Sequence, residues 1–177
     1  ELAKEFSNSF IPGQFVNFDN PKAHFNSTGP EIYDDMDGNV DFFVAGIGTG
    51  GTISGCGEFL KSKNQNIKIV GVEPFDSPVL TEGKSGSHKL QGIGAGFIPK
   101  VLNTKIYDEI IKVKTEEAYE TARMIGVMEG VLVGISSGAA VFAAIELAKR
   151  PENKGKNIVV LLPDTGDRYL STDLFKF

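Results

Sequence analysis

The segment from residue 40 to residue 74 limits the folds open to this chain more than any other feature. The apolar run VDFFVAG (40–46) is typical of a buried strand, and TISGCGEFLKSK (52–63), which follows a glycine-rich turn, is typical of a helix. A second predicted strand, IKIVGVEP (67–74), ends at a proline. A strand, a glycine turn, a helix and a strand in that order form a βαβ unit, which requires a parallel sheet.

The remainder of the chain repeats this alternation. Further elements are predicted in KIYDEIIKVK (105–114, a strand), TEEAYETARMIGVMEG (115–130, a helix with Thr115 as N-cap), VLVGISSGAAVFAAIELAKR (131–150, an apolar run, a small-residue turn and a helix) and NIVVLLP (157–163, a strand buried on both faces). The glycine-rich stretch 76–99 has no clear period and is interpreted as a functional loop. The predicted fold class is α/β, with a mostly parallel sheet flanked by helices.

Composition argues against several classes of partner. A net charge of −5 and a pI near 5.1 disfavour nucleic-acid binding, for which a basic face is expected. No apolar stretch approaches the roughly 20 residues that a membrane helix needs, and residues 1–10 contain no apolar signal region. The single cysteine, Cys56, cannot form an internal disulfide and is interpreted as a buried packing residue. These features predict a cytoplasmic protein without a membrane or nucleic-acid partner.

The glycine turn after the first predicted strand leaves three interpretations open. Bare backbone lets a ligand approach the N–H groups at a helix N-terminus, which favours a bound anion. The run Gly46-Ile-Gly48-Thr-Gly50-Gly51 also satisfies the G-x-G-x-x-G pattern of a dinucleotide site, and Glu73 lies where such a site places its ribose-binding acid. A purely structural turn is the third interpretation. A P-loop is excluded, because no Lys-Ser or Lys-Thr follows the glycines.

Two further turns match hydrolase motifs only in part. GISSG (134–138) matches a nucleophile elbow, but His24 and His88 both precede Ser136, whereas an α/β-hydrolase places its histidine last. Asp164-Thr-Gly matches an aspartic-protease triplet, but that chemistry needs two such carboxylates. This triplet is therefore interpreted as a solvated turn. No cluster of His, Cys and Asp has the spacing of metal ligands.

The three turns all follow apolar runs, so we expect them to share the carboxyl edge of one parallel sheet. A phosphate at 48–52, a hydroxyl at Ser136 and a tight turn at 163–166 could surround one compact cofactor. A dinucleotide leaves the second and third turns unexplained.

Five motifs of this chain closely resemble those of the cysteine synthase (O-acetylserine sulfhydrylase) family. They are, in order, GTGGT (48–52), GVEP (71–74), SHKLQGIGAGFIP (87–99), GISSGAA (134–140) and PDTGDRYLST (163–172). That family belongs to the fold-type II pyridoxal-phosphate enzymes, whose fold is like that of tryptophan synthase β. The stretch 14–32 also fits, so the resemblance covers nearly all of the chain. Cystathionine β-synthase and the serine and threonine dehydratases share the fold and stay open as alternatives, as does a non-catalytic phosphate- or dinucleotide-binding domain.

The resemblance implies roles for individual residues. The cofactor phosphate would be held by backbone N–H groups and two hydroxyls of Gly48, Thr49, Gly50, Gly51 and Thr52. Ser136 would hydrogen-bond the pyridine nitrogen, where a neutral hydroxyl suits β-elimination. Gln14 would help to bind the substrate carboxylate, and the backbone around Gly92 would face the substrate.

The resemblance also implies what this chain lacks. The Schiff-base lysine, the asparagine beside the cofactor ring and the Thr-Ser-Gly-Asn substrate loop lie nearer the N-terminus in this family, and none of those motifs occurs here. The chain therefore looks like the C-terminal part of the enzyme. Residues 1–17 would be the end of the smaller domain and the hinge, and residues 18–177 the larger, cofactor-phosphate-binding domain. No lysine of this chain inherits the catalytic role, and no metal site is expected.

The implied activity is a pyridoxal 5′-phosphate-dependent β-replacement. Acetate is eliminated from O-acetyl-L-serine, and sulfide adds to give L-cysteine. The family further implies a homodimer, with the C-terminal tail of a serine acetyltransferase as a protein partner. The chain by itself is expected to be inactive, because the Schiff-base lysine is missing.

Overall fold

Four parallel strands form a sheet in the computed structural model, which describes residues 2–176. The strands are β1 (Phe42–Gly46), β2 (Lys68–Pro74), β3 (Glu109–Val113) and β4 (Ile158–Val160). Their spatial order is β3-β2-β1-β4, and Val44 of β1 lies opposite Val70 of β2 and Val160 of β4. The parallel sheet predicted from the βαβ unit is confirmed.

Helices cover both faces of this sheet. They are α1 (Leu2–Glu5), α2 (Asp19–Asn26), α3 (Thr28–Asp35), α4 (Gly51–Lys63), α5 (Val79–Glu82), α6 (Thr115–Glu129) and α7 (Ile135–Ala148). Short 3-10 turns follow at Pro151–Asn153, Gly166–Tyr169 and Asp173–Phe175. No helix in the described part of the chain is both long enough and apolar enough to cross a membrane.

The core consists of two layers, one on each face of the sheet. Successive side chains of a strand point to opposite faces, so Phe43 and Val44 enter different layers. Phe43 packs with Ile53 and Leu60 of α4, whereas Val44 packs with Leu147 of α7. Both strand residues are fully buried. The sheet is therefore held between α4 and α7, and the N-terminus of each of these helices follows a turn that the sequence analysis singled out.

Cys56 is a residue of α4; it belongs to the core layer between α4 and the sheet and is fully buried. Burial raises the pKa of its thiol to about 12, so the thiolate does not form at neutral pH. The interpretation of Cys56 as a packing residue is confirmed.

The last strand differs from its prediction. Residues 157–163 are predicted to form a strand buried on both faces, but β4 comprises only Ile158–Val160, and its residues are half-buried. Within residues 2–176, β4 pairs only with β1, so it is an edge strand. The apolar composition correctly indicated a strand here. It did not predict how deeply the strand is buried, because burial depends on the number of neighbouring strands.

Two other boundaries also differ. The apolar run before α7 forms no strand, and Val133 makes an isolated antiparallel bridge with Thr165. Helix α6 has Lys114 as its N-cap, so the prediction of Thr115 at that position is wrong by one residue. The Lys114 N–H donates to the Glu117 carboxylate over 2.8 Å, which closes the first turn.

Candidate functional site

The glycine turn lies between the end of β1 and the start of α4, at the carboxyl edge of the sheet. Gly50 has a φ of +83°, and a β-carbon on it would lie 2.7 Å from the Leu102 side chain, so only glycine fits without rearrangement. The N–H groups of Gly48, Thr49 and Gly50 have no acceptor within residues 2–176. Free N–H groups at a helix N-terminus are the usual donors to an anion.

The Thr49 hydroxyl is held by Asn20 of α2. Oγ1 of Thr49 lies 3.0 Å from Nδ2 of Asn20 and accepts the N–H of Gly51 over 3.2 Å. Asn20 Nδ2 also donates to the Gln14 carbonyl over 2.9 Å. Asn20 therefore links the Gln14 backbone to the glycine turn. The Gln14 residue itself is exposed.

The second hydroxyl of the turn faces a histidine. Oγ1 of Thr52 lies 3.3 Å from Nε2 of His24, and Nδ1 of His24 lies 2.9 Å from Oγ1 of Thr28. Burial lowers the pKa of His24, which favours the neutral ring. A neutral imidazole has one donating and one accepting nitrogen, so it can bond both threonines at once.

Gly92 lies between the glycine turn and Ser136. A β-carbon on Gly48 would lie 2.5 Å from the Gly92 carbonyl oxygen, and one on Gly92 would lie 3.3 Å from Oγ of Ser136. The N–H of Gly94 donates to the Ile47 carbonyl over 2.9 Å, which fixes the loop to the end of β1. The structure therefore brings together the glycine turn, the 87–99 loop and Ser136.

Ser136 occupies the first turn of α7 and is only 3% exposed. Its N–H donates to Oδ2 of Asp164 over 3.2 Å. Its hydroxyl has no hydrogen-bond partner within residues 2–176. A nearly buried hydroxyl without a partner beside a glycine turn is suited to one polar contact with a ligand.

Asp164 caps the N-terminus of α7. Its carboxylate accepts the N–H groups of Ser136 and Ser137, the latter over 2.9 Å, and also the Ser137 hydroxyl. Burial and a hydrogen bond to the Asp164 carboxylate raise the pKa of Tyr169 to about 12. Gly134 permits this approach, since a β-carbon there would lie 2.4 Å from Oδ2 of Asp164. The interpretation of the Asp164 triplet as a solvated turn is wrong, because this half-buried carboxylate is a helix cap.

Glu73 has a structural role that removes it from the dinucleotide interpretation. It is 2% exposed, and its carboxylate accepts the N–H groups of Leu80 and Thr81 at 2.8 and 3.2 Å and the Thr81 hydroxyl at 2.5 Å. Each carboxylate oxygen is thus occupied by α5, and none is presented to a ribose.

Neither the contacts of Asn20 nor the capping role of Asp164 was predicted from the sequence. Asn20 meets Gln14 and Thr49 only because α2 packs across the start of α4, and Asp164 lies 27 and 28 positions from its two serine partners. No local pattern of residues indicates such contacts. Within residues 2–176, no group of three or more His, Cys, Asp or Glu side chains is arranged to hold a metal ion.

Comparison with known proteins gives consistent matches. The model of the family described as pyridoxal-phosphate dependent enzyme matches residues 1–164. A cysteine synthase of Staphylococcus aureus is 54% identical over 175 residues, which are 98% of this chain and 56% of that protein. This chain spans about half the length of the curated relatives it matches.

Solved structures agree with these matches. A cysteine synthase from Entamoeba histolytica has a TM-score of 0.95 and 47% identity, with 99% of this chain and 52% of that chain covered. A hydrogen sulfide-producing enzyme from Fusobacterium nucleatum has a TM-score of 0.92 and 44% identity, with coverage of 96% and 57%.

Proposed function

Because this chain belongs to the pyridoxal-phosphate-dependent enzyme family, we propose that it is the cofactor-phosphate-binding part of a cysteine synthase. The observation that carries the proposal is the cluster of unsatisfied donors at one edge of the sheet. It comprises the N–H groups of residues 48–50 and the hydroxyls of Thr49 and Ser136, which lie on either side of Gly92.

The residues present fit the cofactor. Residues 48–52 would hold its phosphate, because a dianion matches several N–H donors, two hydroxyls and the positive end of α4. Glycines at 48 and 92 let the turn, the Gly92 backbone and Ser136 approach one another closely, since β-carbons on Gly48 and Gly92 would lie 2.5 Å from the Gly92 carbonyl oxygen and 3.3 Å from Oγ of Ser136. Ser136 would then make a single hydrogen bond to the ring nitrogen.

When bound, pyridoxal 5′-phosphate supplies the electron sink for replacement at the β-carbon of an amino acid. A serine beside the ring nitrogen does not enforce protonation there as a carboxylate would, and this suits elimination better than transamination. Asp164 keeps its carboxylate turned to the backbone of α7, so Ser136 rather than Asp164 faces Gly92. Gln14 and the Gly92 backbone are the proposed contacts of the substrate.

The proposed overall reaction converts O-acetyl-L-serine and sulfide to L-cysteine and acetate. A relative that is 54% identical carries the name cysteine synthase, which supports this choice over a dehydratase or cystathionine β-synthase activity. The Schiff-base lysine would be supplied by protein outside this chain. Residues 1–17 would be the end of the smaller domain and the hinge, and residues 18–177 would be the larger domain. A cytoplasmic homodimer, and contact with a serine acetyltransferase tail, complete the proposal.

The experiment compares cofactor binding with turnover. Residues 1–177 should bind pyridoxal 5′-phosphate, detected by absorbance, but should form no cysteine from O-acetyl-L-serine and sulfide. Thr49→Val and Ser136→Ala should each weaken binding, whereas the matched control Thr104→Val, at an exposed position, should leave it unchanged. A stoichiometric borohydride label on one lysine, together with turnover in a preparation free of longer protein, would contradict the proposed division of roles.

A further inference from the structure

The side-chain amide of Asn20 joins two segments of the candidate site. Its nitrogen Nδ2 lies 2.9 Å from the Gln14 carbonyl oxygen and 3.0 Å from Oγ1 of Thr49. A backbone carbonyl can only accept a hydrogen bond, so the atom that faces Gln14 must be the donating nitrogen. Both hydrogens of the amide are therefore used, one at each segment.

The Thr49 hydroxyl is left with one bond to make. Its oxygen accepts from Nδ2 of Asn20 and from the N–H of Gly51. A hydroxyl has two acceptor lone pairs and one hydrogen, so the hydrogen must be donated to a third group. No acceptor for it occurs within residues 2–176.

We propose that Asn20 is a positioning residue that holds the Thr49 hydroxyl as a donor toward the bound phosphate group. The inference rests on the proposed function, in which residues 48–52 bind the phosphate of the cofactor. Without the Asn20 amide, a lone pair of Thr49 becomes free and the hydroxyl can rotate toward water. A donor that is already oriented needs no reordering when the anion arrives, and affinity improves for that reason.

Gly51 makes this arrangement possible. A β-carbon on Gly51 would lie 1.9 Å from Oδ1 of Asn20, so the amide rests directly against the backbone of the first turn of α4. The Asn20 side chain is thus held from one side by α4 and from the other by the Gln14 carbonyl. This double support restricts the amide to the orientation in which it donates to Thr49.

The test is a double-mutant cycle at Asn20 and Thr49 in the full chain. The probes are inorganic phosphate and pyridoxine 5′-phosphate, which has no aldehyde and cannot label lysines, and binding is followed by phosphorus-31 NMR and calorimetry. Asn20→Ala should raise both dissociation constants about 5- to 10-fold, the effect of one hydrogen bond. In the Thr49→Val background, which lacks the hydroxyl, adding Asn20→Ala should change the two dissociation constants less than about 2-fold.

Asn17 provides the matched control. Its amide nitrogen donates to the Pro12 carbonyl over 3.3 Å and its amide oxygen accepts the N–H of Asp19 over 3.0 Å, so it bonds neither Thr49 nor the Gln14 carbonyl. Asn17→Ala should therefore leave both dissociation constants unchanged. Folding of each variant is checked by circular dichroism. If Asn20→Ala does not fold, the same double-mutant cycle is made with Asn20→Leu, which keeps the shape of the side chain but lacks its hydrogen-bond donors.

Two results would overturn the inference while leaving the phosphate site in place. One is an equal loss of affinity from Asn20→Ala with and without the Thr49 hydroxyl, which would show that Asn20 acts only through the general fold. The other is an unchanged affinity in folded Asn20→Ala. If the folded, unsubstituted chain binds neither probe, the proposed function fails and the inference fails with it.

Discussion

A β-carbon placed on Gly92 would lie 3.3 Å from the hydroxyl oxygen of Ser136. The carbonyl of the same glycine closely approaches Gly48, where a β-carbon would lie 2.5 Å from it. One bare backbone segment therefore separates the proposed phosphate turn from the proposed partner of the ring nitrogen. The arrangement connects three sequence-distant segments, and each contact in it depends on the absence of a side chain.

We predict that Gly92→Ala lowers both the stability of the protein and its affinity for pyridoxine 5′-phosphate. Gly92 has a φ of +94°, and an alanine in such a conformation costs about 1–3 kcal/mol of the free energy of unfolding. Its β-carbon would also crowd Ser136. Urea unfolding measures the stability, and calorimetry measures the affinity.

Gly96→Ala is the matched control for this prediction. Gly96 has a φ of +80°, but a β-carbon there would meet nothing within 4 Å. It should lose stability by a similar amount while its affinity for the cofactor analogue is retained. Equal affinities in the two variants would show that the contact between Gly92 and Ser136 has no effect on binding.

The sequence predicted the parts of the fold that depend on neighbouring residues. The βαβ unit and the turn at 48–52 follow from strand periodicity and glycine, which act locally. The cap that Asp164 provides could not be predicted, because the carboxylate meets α7 only after the sheet has formed. The edge position of β4 could not be predicted either, because the burial of a strand depends on neighbouring strands that local composition does not specify.

His24 should make stability depend on pH. Burial holds its pKa in the folded protein below the ordinary value of about 6.5, so the unfolded chain binds the proton more tightly. The stabilisation is thus complete above about pH 6.5 and is lost as the pH falls through the folded pKa. His24→Gln should remove this contribution, as measured by urea unfolding at about pH 7.5 and about pH 5. The same pH dependence in the unsubstituted protein and in His24→Gln would rule out His24 as its source.

Asp164→Ala should destabilise α7 and change the titration of Tyr169. The substitution removes the acceptor of two backbone N–H groups and of the Ser137 hydroxyl, and each unsatisfied group costs about 1–3 kcal/mol. Without the carboxylate, the pKa of Tyr169 should fall from about 12 but stay above its ordinary value, because burial remains. Ultraviolet titration of the phenol and urea unfolding measure the two effects. Asp167→Asn, at an exposed neighbour, should change neither, and a shift of the Tyr169 pKa in that control would refute the assignment to Asp164.

Two glycine-to-alanine substitutions inside helices should have opposite effects on stability. A β-carbon on Gly55 of α4 would lie 2.1 Å from the Pro21 carbonyl oxygen, which is backbone and cannot turn aside, so α2 would have to move away. Gly55→Ala should cost about 1–3 kcal/mol of the free energy of unfolding, the usual effect of overpacking. A β-carbon on Gly126 of α6 would meet only the Val131 carbonyl oxygen, at 3.9 Å, so Gly126→Ala should gain about 0.5–1 kcal/mol from helix propensity. Because α2 carries Asn20, Gly55→Ala should also weaken phosphate binding, and full affinity in that variant would show that the glycine turn does not depend on the contact between α2 and α4.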